Sequence, residues 1–136
     1  MASSQEIGES ATGEPCGVAV LAPGPVERLR EMGRALGHEV PRRILELFLE
    51  DAGSRLRDLQ RSLASGDAPA VERAAHSLKG SSANLGATDF ADLCHELERR
   101  GGRRELAGTE EGLSALEVEF ARVEAAMRRL LAEFSG

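Results

Sequence analysis

The chain has 136 residues, which accommodates one domain with a real hydrophobic core but not two. Apolar residues make up 41% of it and charged residues 29%, and four Phe with no Trp or Tyr favour helices over a β-sheet. The net charge of −6 and the lack of a Lys/Arg block argue against a nucleic-acid partner, because a phosphate backbone requires a basic face.

The N-terminal residues show no hydrophobic period. Residues 1–17 are rich in Ser, Gly, Glu and Ala, so we expect a disordered leader before a folded domain at 18–136. No basic region of a signal peptide is present, and the apolar run 17–22 is too short to cross a membrane. Two cysteines, Cys16 and Cys94, are too few for a disulfide framework. We therefore expect a cytoplasmic protein that does not engage a membrane.

Two helices are predicted in the first half of the domain. A short one begins near Pro25 and ends at Gly37, and a longer one of about 25 residues has Pro41 in its first turn and ends near Gly66. Apolar residues recur at intervals of three and four, the spacing of one helical face. They are Val26, Leu29, Met32 and Leu36 in the first helix, and Leu45, Phe48, Leu49, Ala52, Leu56, Leu59 and Leu63 in the second.

Three further helices are predicted. The third starts after the N-cap Asp67 and runs to Gly86, and Thr88 caps the fourth, which the glycines 101–102 end. Thr109 and the two glutamates after it mark the fifth, since acidic residues suit the positive end of a helix. The predicted buried faces are Val71, Ala74, Leu78, Ser82 and Leu85, then Phe90, Leu93, Cys94 and Leu97, then Leu113, Leu116, Phe120, Val123, Met127, Leu130 and Phe134.

These five helices predict an all-α architecture. Four long amphipathic helices joined by short turns, with a shorter one in front, are typical of an antiparallel four-helix bundle with a short N-terminal cap helix. No alternating apolar pattern of a β-strand competes with this prediction. The apolar seam of the last helix is also consistent with a dimer, but the helix count closes a bundle within one chain, so we expect a monomer.

The third helix carries the most informative residues. At helical pitch His76 lies about 200° from the buried Ala74 and Leu78, so it is predicted to face water. Lys79 and Gly80 follow one turn later and share its face. A glycine inside a helix costs roughly 1 kcal/mol relative to alanine. We interpret Gly80 as a bare patch of backbone that gives another protein domain access to the histidine.

An exposed imidazole beside a cation suits the transfer of a phosphoryl group. Such a group is negatively charged and requires a neutral nitrogen nucleophile, which histidine provides near neutral pH. Lys79 would stabilise the negative charge placed on the ring of His76. A lone surface histidine is more often an ordinary solvated residue, however, so the function of His76 depends on the motif around it.

Residues 76–86 read HSLKGSSANLG. This run resembles the signature of the histidine-containing phosphotransfer (Hpt) domain family, His-x-Leu-Lys-Gly-Ser-Ser followed by Leu-Gly. The resemblance extends from about residue 18 to residue 101, with a looser match in the last helix. It implies that His76 accepts the phosphoryl group on Nε2, that Lys79 supports the phosphate and that Gly80 provides clearance for the partner.

Two charged residues leave alternatives open. Glu98 occupies a position where some family members place a polar side chain, often Gln, beside the active histidine. A carboxylate there either orients the ring of His76 through Nδ1 or is simply solvated. Arg73 lies one turn before His76, and three roles are open for it: it adds positive field for a phosphate, it pairs with an acidic side chain, or it is simply solvated. No zinc site is expected from Cys94, His95 and Glu98, because adjacent helical residues diverge by about 100°.

The predicted function is that of a phosphorelay intermediate and not of an enzyme. The chain has no Gly-rich nucleotide loop and no acidic metal site, so a partner must supply the chemistry. The resemblance implies response-regulator receiver domains as partners, which carry the aspartyl phosphate and Mg²⁺, so we expect no cofactor or metal of its own. His76 would accept a phosphoryl group from one receiver aspartate and pass it to another receiver. The alternatives are a bundle that docks receivers without transfer, and the phosphoacceptor domain of a larger histidine kinase. A hybrid histidine kinase is a further candidate partner.

Overall fold

The computed structural model describes residues 20–135. Five α-helices lie in this range: α1 (Pro23–Leu36), α2 (Glu39–Ser65), α3 (Ala68–Asn84), α4 (Thr88–Gly102) and α5 (Glu110–Glu133). No strand occurs between residues 20 and 135, and the predicted all-α class is confirmed. The leader predicted at 1–17, with its Cys16, lies outside the described residues, and the domain boundary at residue 18 stays a prediction.

Four of the helices form the predicted antiparallel bundle. Helices α2, α3, α4 and α5 each pack against the next along the chain, and α5 closes the ring by packing against α2. Helix α1 caps one end of this ring. The N–H of Ala22, just before α1, donates to the carbonyl of Gly86 at 2.8 Å, and the guanidinium of Arg30 donates two hydrogen bonds to the carboxylate of Glu133. The cap helix therefore joins the α3–α4 turn to the end of α5.

The core contains most of the predicted buried residues. Those with less than a tenth of their surface exposed include Leu45, Phe48, Ala52, Leu56, Leu59, Val71, Ala74, Leu78, Ser82, Phe90, Cys94, Leu97, Leu116, Val123, Met127, Leu130 and Phe134. Leu36 is a wrong prediction, because its side chain is 67% exposed. The contact of α1 with the bundle ends at Gly33, which packs against His38 and Phe134, so the last turn of α1 has no apolar neighbour to cover.

Three of the predicted helix ends are confirmed. The side chain of Asp67 accepts a hydrogen bond from the N–H of Ala70 at 3.2 Å, which is the contact expected of an N-cap. Gly37 and Gly66 follow α1 and α2 with φ angles of 100° and 72°. Because side chains disfavour positive φ, glycine is the residue that ends these helices at the lowest cost.

Of the two helix starts predicted at threonines, the one at Thr109 is confirmed and the one at Thr88 is wrong. Thr88 is already the first helical residue of α4, and Ala87 occupies the N-cap position. Ala87 is fully buried, so the chain enters α4 through a core contact and not through a hydroxyl. Thr109 does precede α5, but its hydroxyl donates to the carbonyl of Leu106 at 2.7 Å and so fastens the preceding loop instead of the helix start.

The glycine pair ends α4 as predicted, and Gly101 has a second role in helix packing. Helix α4 does end at Gly102, but the residue with positive φ after it is Arg104, at 58°. Gly101 is buried, and a Cβ there would lie 2.8 Å from the backbone nitrogen of Glu72 and 3.0 Å from the carbonyl oxygen of Ala68. Gly101 therefore permits α4 to approach the backbone of α3 closely, next to the helix segment that carries His76.

Candidate functional site

Helix α3 presents the predicted site residues to solvent. Its buried face holds it in the bundle, and His76 lies on the opposite side with 68% of its side chain exposed. Lys79, one turn later, is 30% exposed. Since α4 runs antiparallel to α3 at close range, Glu98 lies opposite His76 although 22 residues separate them.

The carboxylate of Glu98 joins three side chains. Its Oε2 lies 2.8 Å from Nδ1 of His76, and its Oε1 lies 2.6 Å from Nζ of Lys79. His95, one turn before Glu98 on α4, has its Nδ1 3.4 Å from Nζ of Lys79 and 3.7 Å from Oε1 of Glu98. Of the two alternatives that the sequence left open, the structure shows Glu98 in contact with the ring of His76.

The charge state of Glu98 determines which nitrogen of His76 carries a proton. Burial raises the pKa of Glu98, but the hydrogen bonds from Lys79 and His76 together outweigh it and hold that pKa below its usual range. The carboxylate is therefore ionised near neutral pH and can only accept a hydrogen bond. Nδ1 of His76 must be the donor, so the neutral ring keeps its lone pair on Nε2, the nitrogen turned away from Glu98.

We expect Glu98→Gln to be less stable than the wild type near neutral pH, by about 1 kcal/mol, because the half-buried carboxylate pairs with Lys79 and His76. The folded pKa of Glu98 is lowered, so its contribution is complete above its ordinary pKa of about 4.5 and is lost as the pH falls through the folded value. Urea denaturation of both proteins across this range measures the difference. If the stability difference between the wild type and Glu98→Gln instead widens at acidic pH, the pKa of Glu98 is not lowered in the folded protein.

Gly80 lies in open surroundings. It is exposed, and apart from its chain neighbours and the local helix backbone, no atom of the described residues would lie within 4 Å of a Cβ built on it. Ala83, one turn later, is also exposed. The hydroxyl of Ser81 donates back to the carbonyl of Ser77 at 3.1 Å, which leaves the helix surface smooth. The surface at Gly80 and Ala83 therefore lacks bulky side chains, as the clearance role predicted for Gly80 requires.

A cleft between α2 and α3 adjoins the site, and His76 and Glu98 themselves contribute to its lining. Three arginines line it: Arg55 and Arg61 from α2, and Arg73 from α3. The sequence analysis did not single out the two α2 residues, because no local pattern links them to a motif on another helix. His95 was considered only as a zinc ligand. Its position three residues before Glu98 on the same helical face was the available signal for its place in the site.

The free cysteine of the described chain is not a reactive thiol. Burial raises the pKa of Cys94 to about 12, so its thiol stays protonated at neutral pH. Between residues 20 and 135 no three His, Cys, Asp or Glu side chains are grouped so as to hold a metal ion. Over the same range, no helix is both long enough and apolar enough to span a lipid bilayer.

A helical bundle with an exposed, carboxylate-oriented histidine defines a candidate phosphoacceptor domain. The Hpt domain family matches residues 43–132, so the chain belongs to the Hpt domain family. The predicted family is confirmed. Hpt domains are phosphocarriers and not kinases.

Known proteins with similar sequences or folds agree with this family. The chain is 33% identical over 82 residues to multistep phosphorelay regulator 1 of Schizosaccharomyces pombe, a match that covers 60% of this chain and only 28% of that protein. It is 32% identical in sequence to histidine-containing phosphotransfer protein B from Pseudomonas aeruginosa PAO1. The crystal structure of that protein matches with a TM-score of 0.76, over 84% of this chain and 96% of that chain. The domain from a Shewanella Hpt sensor hybrid histidine kinase, 19% identical, shares the fold with a TM-score of 0.64 over 82% of this chain and 95% of that chain.

Proposed function

We propose that this protein is a histidine phosphotransfer protein of a two-component phosphorelay. His76 accepts a phosphoryl group from the aspartyl phosphate of one receiver domain and passes it to the aspartate of another. The observation that carries this proposal is the 2.8 Å contact between Nδ1 of His76 and Glu98, which leaves Nε2 as the exposed nucleophile. The similarity to a multistep phosphorelay regulator and to phosphotransfer protein B supports a relay role.

The geometry suits a transfer that moves no proton. The Nε2 lone pair of His76 attacks phosphorus, the bond from phosphorus to the aspartyl oxygen breaks, and the receiver carboxylate leaves with the electron pair. Nδ1 keeps its proton, so the phosphorylated ring carries a positive charge. The ionised carboxylate of Glu98, 2.8 Å away, stabilises that charge. Passage to the next receiver is the same step in reverse.

The partner supplies the remaining chemistry in this proposal. Phosphoryl transfer requires a divalent cation and a charge clamp around phosphorus, and we assign the Mg²⁺ to the receiver domain, as the family resemblance implies. The chain then acts as a carrier with no kinase activity or cofactor of its own. Receiver domains, including that of a hybrid histidine kinase, are the proposed partners. A monomeric state and a cytoplasmic location stay predictions.

We expect Gly80→Gln to weaken receiver binding while it stabilises the free protein. Either Gly80→Ala or Gly80→Gln adds about 0.5–1 kcal/mol of helix stability, because the site has room for a side chain. Bulk at a packed contact costs about 1–3 kcal/mol, which is roughly 5- to 150-fold in binding. Titration with a receiver, with Gly80→Ala as the control for helix stability, measures the effect of bulk alone. Equal receiver affinity of the three proteins would show that Gly80 does not face the partner.

The proposed function is tested by transfer from a receiver that carries radiolabelled aspartyl phosphate, with Mg²⁺ present. We expect label on this protein that is acid-labile and base-stable, as a phosphorylated histidine is. Addition of a second, unlabelled receiver should then remove the label. If no receiver in a panel transfers label, the relay function is wrong and the bundle is a docking module that does not transfer phosphate.

A further inference from the structure

The cations around His76 are mostly paired already. Nζ of Lys79 lies 2.6 Å from Glu98. In the cleft between α2 and α3, the guanidinium of Arg61 pairs with Asp58, and that of Arg55 lies 3.6 Å from Asp51. Each of these positive charges is offset by a neighbouring carboxylate in the unphosphorylated protein.

Arg73 is the exception. It lies one turn before His76 on α3, is exposed and lines the same cleft. Within residues 20–135 its guanidinium forms no ion pair and no hydrogen bond with another side chain, whereas its cleft neighbours Arg55 and Arg61 do. Residues three apart on a helix have Cβ atoms about 5–6 Å apart, so a side chain as long as arginine reaches the space above the imidazole.

A phosphoryl group on Nε2 of His76 would be stabilised by a cation that is not already paired. It brings up to two negative charges close to the ionised Glu98, while the positive charge of Lys79 is already shared with that carboxylate. Arginine binds phosphate oxygens through two parallel N–H donors, a geometry that lysine does not offer. From the cleft side Arg73 can contact the non-bridging oxygens and leave the line from Nε2 through phosphorus open for the partner.

We infer that Arg73 is a phosphoryl-binding residue, whose guanidinium holds the phosphoryl group on Nε2 of His76. This inference rests on the proposed function of His76 as the acceptor. Loss of the guanidinium should shift the equilibrium of transfer towards the receiver by about threefold to tenfold. It should also raise the pKa of the bound phosphoryl group, because a nearby cation favours the dianion.

Phosphorus NMR of chemically phosphorylated protein tests the inference without a receiver. Phosphoramidate, a small-molecule donor, phosphorylates the wild type, Arg73→Ala and Arg73→Lys, and the His76 signal is identified by its absence from His76→Gln. A pH titration then gives the pKa of the phosphoryl group in each protein. Arg129→Ala is the control, since Arg129 is also exposed but lies on α5, whose main contacts in the bundle are with α4 and α2.

The expected pKa order is wild type and Arg129→Ala lowest, Arg73→Lys intermediate and Arg73→Ala highest. Identical titrations of all four proteins would overturn the role of Arg73 and leave the proposed function standing. If the Arg73 effect is present but no receiver transfers label, the relay function fails while the phosphoryl contact holds. If phosphoramidate forms no phosphohistidine at His76, both proposals are overturned.

Discussion

Replacement of His76 by glutamine is expected to abolish phosphoryl acceptance and to leave the bundle folded. Glutamine has a similar size but no nucleophilic nitrogen, so transfer from a phosphorylated receiver should fall to background. With 68% of its side chain exposed, His76 buries little surface, and surface substitutions of this kind change stability by about 0.5 kcal/mol or less. The label bound by His76→Gln and its urea denaturation curve are the two measurements.

His95→Gln is the matched control for this experiment. His95 is 60% exposed and lies 3.4 Å from Lys79, so it belongs to the same cluster. The His95→Gln variant should still accept label from the receiver, because the proposed nucleophile, His76, is unchanged. If His76→Gln still accepts label, the phosphoacceptor is another histidine. A large loss of stability in His76→Gln would show that the ring supports the packing of α3 against α4.

Replacement of Gly101 by valine is expected to destabilise the domain by disrupting the close contact of α4 with α3. The Cβ alone would lie 2.8 Å from the backbone nitrogen of Glu72 and 3.0 Å from the carbonyl oxygen of Ala68. Backbone atoms cannot rotate away, so α3 and α4 must separate. Overpacking typically costs about 1–3 kcal/mol, and separation of the helices would also lengthen the contact between His76 and Glu98. Urea denaturation and the transfer assay measure the two effects.

Gly102→Ala is the control for Gly101→Val. At Gly102 the nearest atom to a new Cβ is Oε2 of Glu72, at 3.1 Å, the end of a flexible side chain that can move aside. Gly102→Ala should therefore keep wild-type stability within about 0.5 kcal/mol. If both variants lose the same stability, the cost comes from the backbone conformation at the end of α4 and not from the helix contact.

The helices and the core were predictable because their signals are local. Apolar residues at intervals of three and four place Leu45, Leu59 and Leu78 on buried faces whatever their partners are. The helix ends were predictable where a backbone requirement selects a residue, as at Gly37 and Gly66, whose φ angles are positive. They were not predictable at Thr88, where burial of Ala87 determines the start of α4 and overrides the preference for a hydroxyl cap.

The residues of the site likewise fall into those that the sequence could place and those that only the structure could place. His76, Lys79 and Gly80 lie within one turn of a single helix, so the sequence alone determined that they share a face, and its motif identified the family that the Hpt match confirms. Only the tertiary structure decided that Glu98 contacts the ring, that His95 approaches Lys79 and that Arg55, Arg61 and Arg73 share a cleft. Those contacts depend on the register and spacing of neighbouring helices. Register and spacing are set where helices meet, at residues such as Gly101, and no spacing within one helix encodes them.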